Sequence, residues 1–420
     1  MKKIQISARG ILKFIPIFTI LVLSLSSEIG IPLELLYIND ILMIFLLLFF
    51  KKRNIFKMIN TQLINYALAL IILVIAIGTV GNLVSLRFVL WGARNTFRGI
   101  IYFWCCVVYL NEDDIHNMLE LFVKLQYINF LLGLYQFFVL GLRQDDVGGI
   151  FGHGNGNALG IYCVIVCAYS FLTYFNKKEK LYQAIFILVS SLVIAAFAEE
   201  KFMIFEIIIV FLIVLALSKK SLIKLVIIPA FFIVLQQGLQ LFDSLFPGTI
   251  KMITSLSYLE KYGSSSWAGS YYIPRIGSFS FIRKNVFMND TFHSLFGFGM
   301  GNCDTSSFKF LQGPYFKRFG YMNFRWIFQQ WTIMENGILG LWCFIAFFMV
   351  LTIYLLIIRK KFQTLSHRII TDTSIITIVI SIMTMWMNNT LKVDSAYIPY
   401  FVMAGGFVCL KSLNTRLLKK

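Results

Sequence analysis

Apolar stretches of near-spanning length recur twelve times along the chain, near residues 11–27, 33–50, 63–81, 86–110, 117–141, 158–175, 182–198, 202–218, 222–241, 334–358, 371–391 and 397–413. About 20 apolar residues in helical conformation match the hydrocarbon thickness of a bilayer. The pattern therefore predicts an all-α polytopic membrane protein with about twelve transmembrane helices. The first stretch resembles the apolar core of a signal peptide, but the next begins only a few residues later, so it reads as an uncleaved first helix. Connections are short with one exception. Three regions follow: helices 1–9 in residues 1–242, one large loop with short helices in 243–331, and helices 10–12 in 332–420.

Composition strengthens this reading. Hydrophobic residues make up 58% and charged ones 14% of the 420 positions, against about 45–50% and about 25% in soluble domains. A water-soluble fold is excluded. The formal charge of +18 would suggest nucleic acid in a soluble protein, yet here it sorts by side. Clusters of Lys and Arg at the N-terminus, at 51–57, 177–180, 219–224, 359–368 and 411–420 all fall on one side of a twelve-helix arrangement. That side holds about 22 of them, and the short connections opposite hold Arg87, Arg143, Lys201 and Lys392. The positive-inside rule then places both termini in the cytoplasm. The large loop lies outside. Up to Arg325 it carries nine Lys or Arg against four Asp or Glu, a basic surface that calls for an anionic partner. Seven cysteines form no CxxC and no histidine stands at ligand spacing, so no disulfide framework, metal site or cofactor is implied.

Some polar residues are costly where they stand. Arg94 and Arg98 fall inside the fourth stretch, four residues apart and so about 6 Å from each other on one helix face. An intramembrane arginine costs at least about 2.5–3.5 kcal/mol, so something negative must face the pair. It is either a buried carboxylate such as Glu199, Glu200 or Glu206, or a phosphate ligand, which a guanidinium fork grips bidentately. The turn Ala198-Glu199-Glu200-Lys201 between helices 7 and 8 offers either a general base or an ion-paired cap. Before helix 6 runs Gly148-Gly149-Ile150-Phe151-Gly152-His153-Gly154-Asn155-Gly156-Asn157, where exposed N–H groups suit an anion, Asn157 can cap the helix and His153 can exchange protons. In the large loop, Arg275 and Arg283 lie near aromatic residues. Rings beside polar groups suit a sugar face. Residues 315–330, with Trp326 among Lys317, Arg318 and Arg325, read as an interfacial amphipathic helix.

Three motifs occur in a telling order. They are the Gly-rich turn with Asn at a mid-chain helix (Gly149 to Gly160), Arg275 followed by Leu295-Phe296-Gly297-Phe298-Gly299-Met300-Gly301, and Glu335-Asn336-Gly337-Ile338-Leu339-Gly340-Leu341 opening the next helix. Together with the layout they resemble the O-antigen ligase and Wzy-type polymerase superfamily over residues 145–410. The resemblance implies a GT-C-like glycosyltransferase that uses undecaprenyl-diphosphate-linked oligosaccharides at the outer face of the bacterial cytoplasmic membrane and needs no nucleotide sugar. Ligases of the family carry a His-Asn pair about nine residues before the Glu of the last motif, where this chain has Arg325-Trp326-Ile327. Lys201 stands where an Arg is expected. Both departures favour a polymerase that joins repeat units into O-antigen or capsular polysaccharide. Its partners would be the lipid-linked oligosaccharide, membrane lipids and a chain-length regulator, with no nucleic acid.

On this expectation Arg94, Arg98, Lys201, Arg275, Arg283, Asn155 and Asn157 hold the diphosphate and sugars, and Glu199, Glu200 or His153 takes the proton of the acceptor hydroxyl. Two alternatives stay open. One is an O-antigen ligase; the other is a flippase for lipid-linked oligosaccharides, which would also use intramembrane arginines but normally shows internal repeats.

Overall fold

The computed structural model describes residues 7–49, 62–176, 178–218, 223–245 and 272–417, together with 247, 255 and 257. The basic clusters at 51–57 and 219–220, Lys177 and much of the large loop, including Lys261 and Tyr271, lie outside the described residues. Each of the twelve apolar stretches contains an α-helix among its described residues. In chain order they are α1 (Ala8–Ile29), α2 (Tyr37–Phe49), α3 (Gln62–Gly81), α4 (Leu86–Tyr109), α5 (Glu112–Phe138), α6 (Gly156–Phe175), α7 (Leu181–Phe197), α8 (Lys201–Leu217) and α9 (Ile223–Leu245). The described part of the large loop contributes three short α-helices, α10 (Ser278–Asn285), α11 (Thr291–Phe296) and α12 (Pro314–Phe319), before α13 (Phe328–Arg359), α14 (Leu365–Thr384) and α15 (Tyr397–Leu417) close the bundle. No strand occurs among the described residues.

Among the described residues seven helices are long and apolar enough to cross a membrane: α1, α3, α5, α6, α13, α14 and the segment Asp394–Asn414 that contains most of α15. The chain is an all-α, multi-pass membrane protein. Its centre is built by α6, α14 and α15, whose spanning segments are largely buried, whereas α3 leaves most of its surface outward for lipid. α5 starts at Glu112, five residues before its apolar run. Asn111 and Asp114 form a capping box there, so charged residues begin the helix where hydropathy alone sees none.

Two further departures shape the outer end. Residues 315–330 do not form one amphipathic helix: α12 ends at Phe319, tight turns follow at Gly320–Met322 and Phe324–Trp326, and α13 begins at Phe328. α14 ends at Thr384 rather than near 391. The residues after it leave the helix because the start of α13 claims their carbonyls. The Phe328 N–H donates to the Asn388 carbonyl and the Gln329 N–H to that of Met385, both at 2.9 Å, which satisfies orphan donors of the α13 first turn.

Two glycines explain why the Leu295 to Gly301 turn and the Glu335 to Leu341 motif belong together. Gly337, at φ 67°, interrupts α13, and a Cβ there would lie 2.1 Å from the Leu295 carbonyl oxygen. Gly301, at φ 84°, presses on α4, where a Cβ would meet the Phe88 carbonyl oxygen at 1.9 Å. Only glycine combines the left-handed conformation with such close approach. The turn is thereby wedged between α4 and α13.

Candidate functional site

Connections at one end of the bundle surround a cavity of about 1410 Å³. Its walls come from the α1–α2, α5–α6 and α7–α8 connections, the face of α4 around Arg94 and Arg98, the loop residues near Arg275 and Arg325, and the connector after α14. Eight of the ten residues singled out from sequence line it: Arg94, Arg98, Asn155, Asn157, Glu199, Glu200, Lys201 and Arg275. Two do not. His153 turns toward α1, its Nε2 3.1 Å from a Glu28 carboxylate oxygen, and Arg283 is exposed at the end of α10.

The negative charge facing Arg94 and Arg98 is supplied by the protein itself, and not by Glu199, Glu200 or Glu206. Arg94 pairs with Asp40 of α2 at 2.7 Å, and Arg98 with Asp394 at 2.5 Å, while Arg94 also lies 3.5 Å from Asp394. Arg98 donates a second hydrogen bond to the Lys392 carbonyl at 2.8 Å. Lys392 in turn reaches Glu335 of α13 at 3.0 Å, with 1% and 0% of the two side chains exposed. Glu335 also accepts from the Gly301 N–H at 3.0 Å. The two arginines and the lysine thus stitch the connector 385–396, irregular up to a single 3-10 turn at Asp394–Ala396, onto α4 and α13. Breaking such a buried pair strands a charge at a cost that can reach about 3–5 kcal/mol.

Arg325 is different. Its guanidinium stacks 4.2 Å over the Trp331 ring and 5.8 Å from that of Phe316, and its Nε is buried without a hydrogen-bond partner. No ion pair reaches it among the described residues. Arg325 borders the cavity, and its guanidinium, which stays charged at any ordinary pH, is offset without a direct ion pair by the nearby carboxylates of Asp304 and Glu335.

The α7–α8 connection contributes two carboxylates to the lining. Glu199, held at φ 55°, is committed to Lys201 at 2.6 Å. The side chain of its neighbour Glu200 makes no hydrogen bond among the described residues. Glu200 lies against the start of α6, where a Cβ on Gly156 would come 2.8 Å from its Oε1. That glycine leaves room for the carboxylate, a role the sequence did not disclose. Burial, then the neighbouring Asp145, pushes the Glu200 carboxyl up to about 7 against the opposing pull of Arg275. Asp145 is itself raised by burial and by Glu199.

The Gly-rich turn does not present all of its N–H groups as an anion site. The Gly149 N–H donates to Gln136 at 2.8 Å and the Ile150 N–H to Asn129 at 3.0 Å. Asn155, not Asn157, stands at the N-cap of α6, and its side chain bonds back to the Phe151 and His153 carbonyls rather than capping the helix. The lining as a whole is not basic: six Lys and Arg (94, 98, 201, 275, 325, 392) meet six Asp and Glu (34, 145, 199, 200, 206, 394). Within that lining are a carboxylate without a hydrogen bond, Glu200, and a guanidinium without an ion pair, Arg325. No protein-family model matches this chain, and no curated protein is significantly similar to it.

Proposed function

We propose that the chain is a glycosyltransferase that joins lipid diphosphate-linked oligosaccharide units, a repeat-unit polymerase acting at the outer face of the bacterial cytoplasmic membrane with all twelve long helices spanning it. The observation that carries this reading is that the lining of one large cavity at one end of the bundle holds Glu200 together with Arg325 and Arg275. Such a space accepts a substrate with a sugar part, a phosphate part and a lipid part. A carboxylate that titrates near 7 is suited to general-base work at neutral pH.

The chemistry follows from these positions. Glu200 takes the proton of an acceptor sugar hydroxyl as that oxygen attacks the anomeric carbon of the donor. The bond from that carbon to the diphosphate oxygen breaks, and the electron pair leaves on the phosphate. Arg325, with Arg275 nearby, meets the developing negative charge in a site where fixed cations act most strongly. Arg94 and Arg98 support the floor of the cavity through Asp40 and Asp394. The basic residue at 325, where ligases of the resembling family have their His-Asn pair, fits a different acceptor arrangement.

A deletion strain tests the reading. Cells lacking the protein should still export single repeat units, which collect on the lipid carrier or appear as one-unit caps, while the ladder of longer chains vanishes. Long chains stranded on the carrier would point to a ligase, and single units trapped on the cytoplasmic face to a flippase.

A further inference from the structure

Beside the main cavity lies a chamber of about 240 Å³, lined by Phe316, Gly320, Asn323, Arg325, Trp326, Asn389 and Val393. It sits between the turns that follow α12 and the connector after α14. Five of its residues, Asn323, Arg325, Trp326, Asn389 and Val393, also line the main cavity, so the two spaces adjoin across Arg325.

We propose that this chamber binds the one sugar ring attached directly to the lipid diphosphate, and so sets which donor the protein accepts. The inference rests on the polymerase reading and adds to it a site for one named part of the substrate. Size limits the occupant. Sites for drug-sized ligands run to about 300–1,000 Å³, and 240 Å³ is the room of about eight waters at about 30 Å³ each. One pyranose ring fits, and an oligosaccharide does not.

Chemistry narrows it further. Phe316 and Trp326 offer ring faces for the C–H patches of a sugar. The Asn323 side-chain amide makes no hydrogen bond among the described residues, which leaves both a donor and an acceptor for hydroxyls or an acetamido group. Asn389 donates to the Arg325 carbonyl at 2.8 Å, which fixes its orientation and leaves its oxygen as an acceptor. Arg325 at the shared boundary then stands where the first phosphate would follow the ring into the main cavity, which places the anomeric carbon near the threshold between the two spaces.

The test is equilibrium binding of the purified full chain in nanodiscs to short polyprenyl diphosphates. One probe is bare, and four carry glucose, galactose, N-acetylglucosamine or N-acetylgalactosamine. At least one sugar-bearing probe should bind about tenfold more tightly than the bare lipid, the scale of an aromatic contact plus a hydrogen bond. Trp326→Ala should reduce that advantage to about twofold or less without weakening the bare probe, and Phe316→Leu should reduce it likewise. Trp326 is 61% exposed, so its replacement spares the core. Equal affinity for all five probes, or an advantage that survives both substitutions, would overturn the chamber assignment while leaving the polymerase reading intact. Failure of every polyprenyl diphosphate to bind would overturn the polymerase reading and the chamber with it.

Discussion

Arg98 and Arg325 are both guanidinium groups at the rim of the same cavity, yet they do different work. Arg98 is buried and ion-paired, holding Asp394 and the Lys392 carbonyl, although its Nε, like that of Arg325, is buried without a hydrogen-bond partner. Arg325 rests on aromatic rings and has no ion-pair partner among the described residues. A costly residue is therefore not by itself a functional one. An intramembrane cation matched by a carboxylate is part of the scaffold, and one left facing a cavity is poised for something that arrives. Glu199 and Glu200 repeat the contrast at the α7–α8 connection, the first tied to Lys201 and the second uncommitted.

The sharpest way to break this comparison is Glu200→Gln. It should lower chain elongation by roughly 10²–10⁴-fold, the range of a lost general base, with the protein still inserted and normally folded. Glu199→Gln should cost far less in rate. Equal losses in the two variants would erase the distinction between the adjacent carboxylates.

Arg325→Ala comes next. Loss of charge-assisted hydrogen bonds worth about 1.5–3 kcal/mol should weaken binding of a lipid diphosphate by roughly ten- to a hundredfold, and Arg325→Lys should recover only part of it for want of the planar fork. Thermal stability should hardly change. If Arg325→Ala instead melts early and binds normally, the guanidinium is structural.

For Arg98→Ala the order is reversed, with stability lost first. The full cost of a broken buried pair, about 3–5 kcal/mol, is reduced to roughly 1–3 kcal/mol here because Asp394 is about a quarter exposed and solvent screens it. Thermal unfolding in detergent should show the drop, and Arg98→Ala combined with Asp394→Asn should recover some of it. Unchanged stability in both would return Arg98 to the list of ligand-binding residues.

The smallest effect is a pH dependence. With the Glu200 carboxyl raised to about 7 by burial, the basic form predominates above that pH, so the elongation rate should rise through pH 6–7.5 and level off above. The same shift makes the folded state bind a proton that the unfolded chain releases near its ordinary value of 4.5. This group therefore lowers stability as pH rises from about 4.5 to 7. A rate flat across that range would exclude Glu200 as the titrating base.

Much of this architecture was legible in the sequence, and the limits have physical causes. Helices follow from apolar runs because a bilayer forces backbone hydrogen bonds to close locally. Eight of ten candidate residues share one cavity because they flank connections on the same side of the bundle. The connector 385–396 was not legible, since its shape depends on donors at the start of α13 far away in the chain. The Arg94 partner could have been found: Asp40 stands inside the second apolar stretch, and a carboxylate there is as costly as the arginine it answers. Arg325 was read from sequence as part of an interfacial helix and as a departure from a ligase motif, not as a site residue, and its lack of an ion-pair partner becomes apparent only when its neighbours are placed.

The most direct test of the cavity as a single active site is reconstitution of the purified protein in liposomes with a lipid diphosphate-linked repeat unit. Longer chains should appear with one free polyprenyl diphosphate released per bond formed, and Glu200→Gln should stop both together. Movement of the unit across the membrane with no chain growth and no diphosphate release would contradict the account.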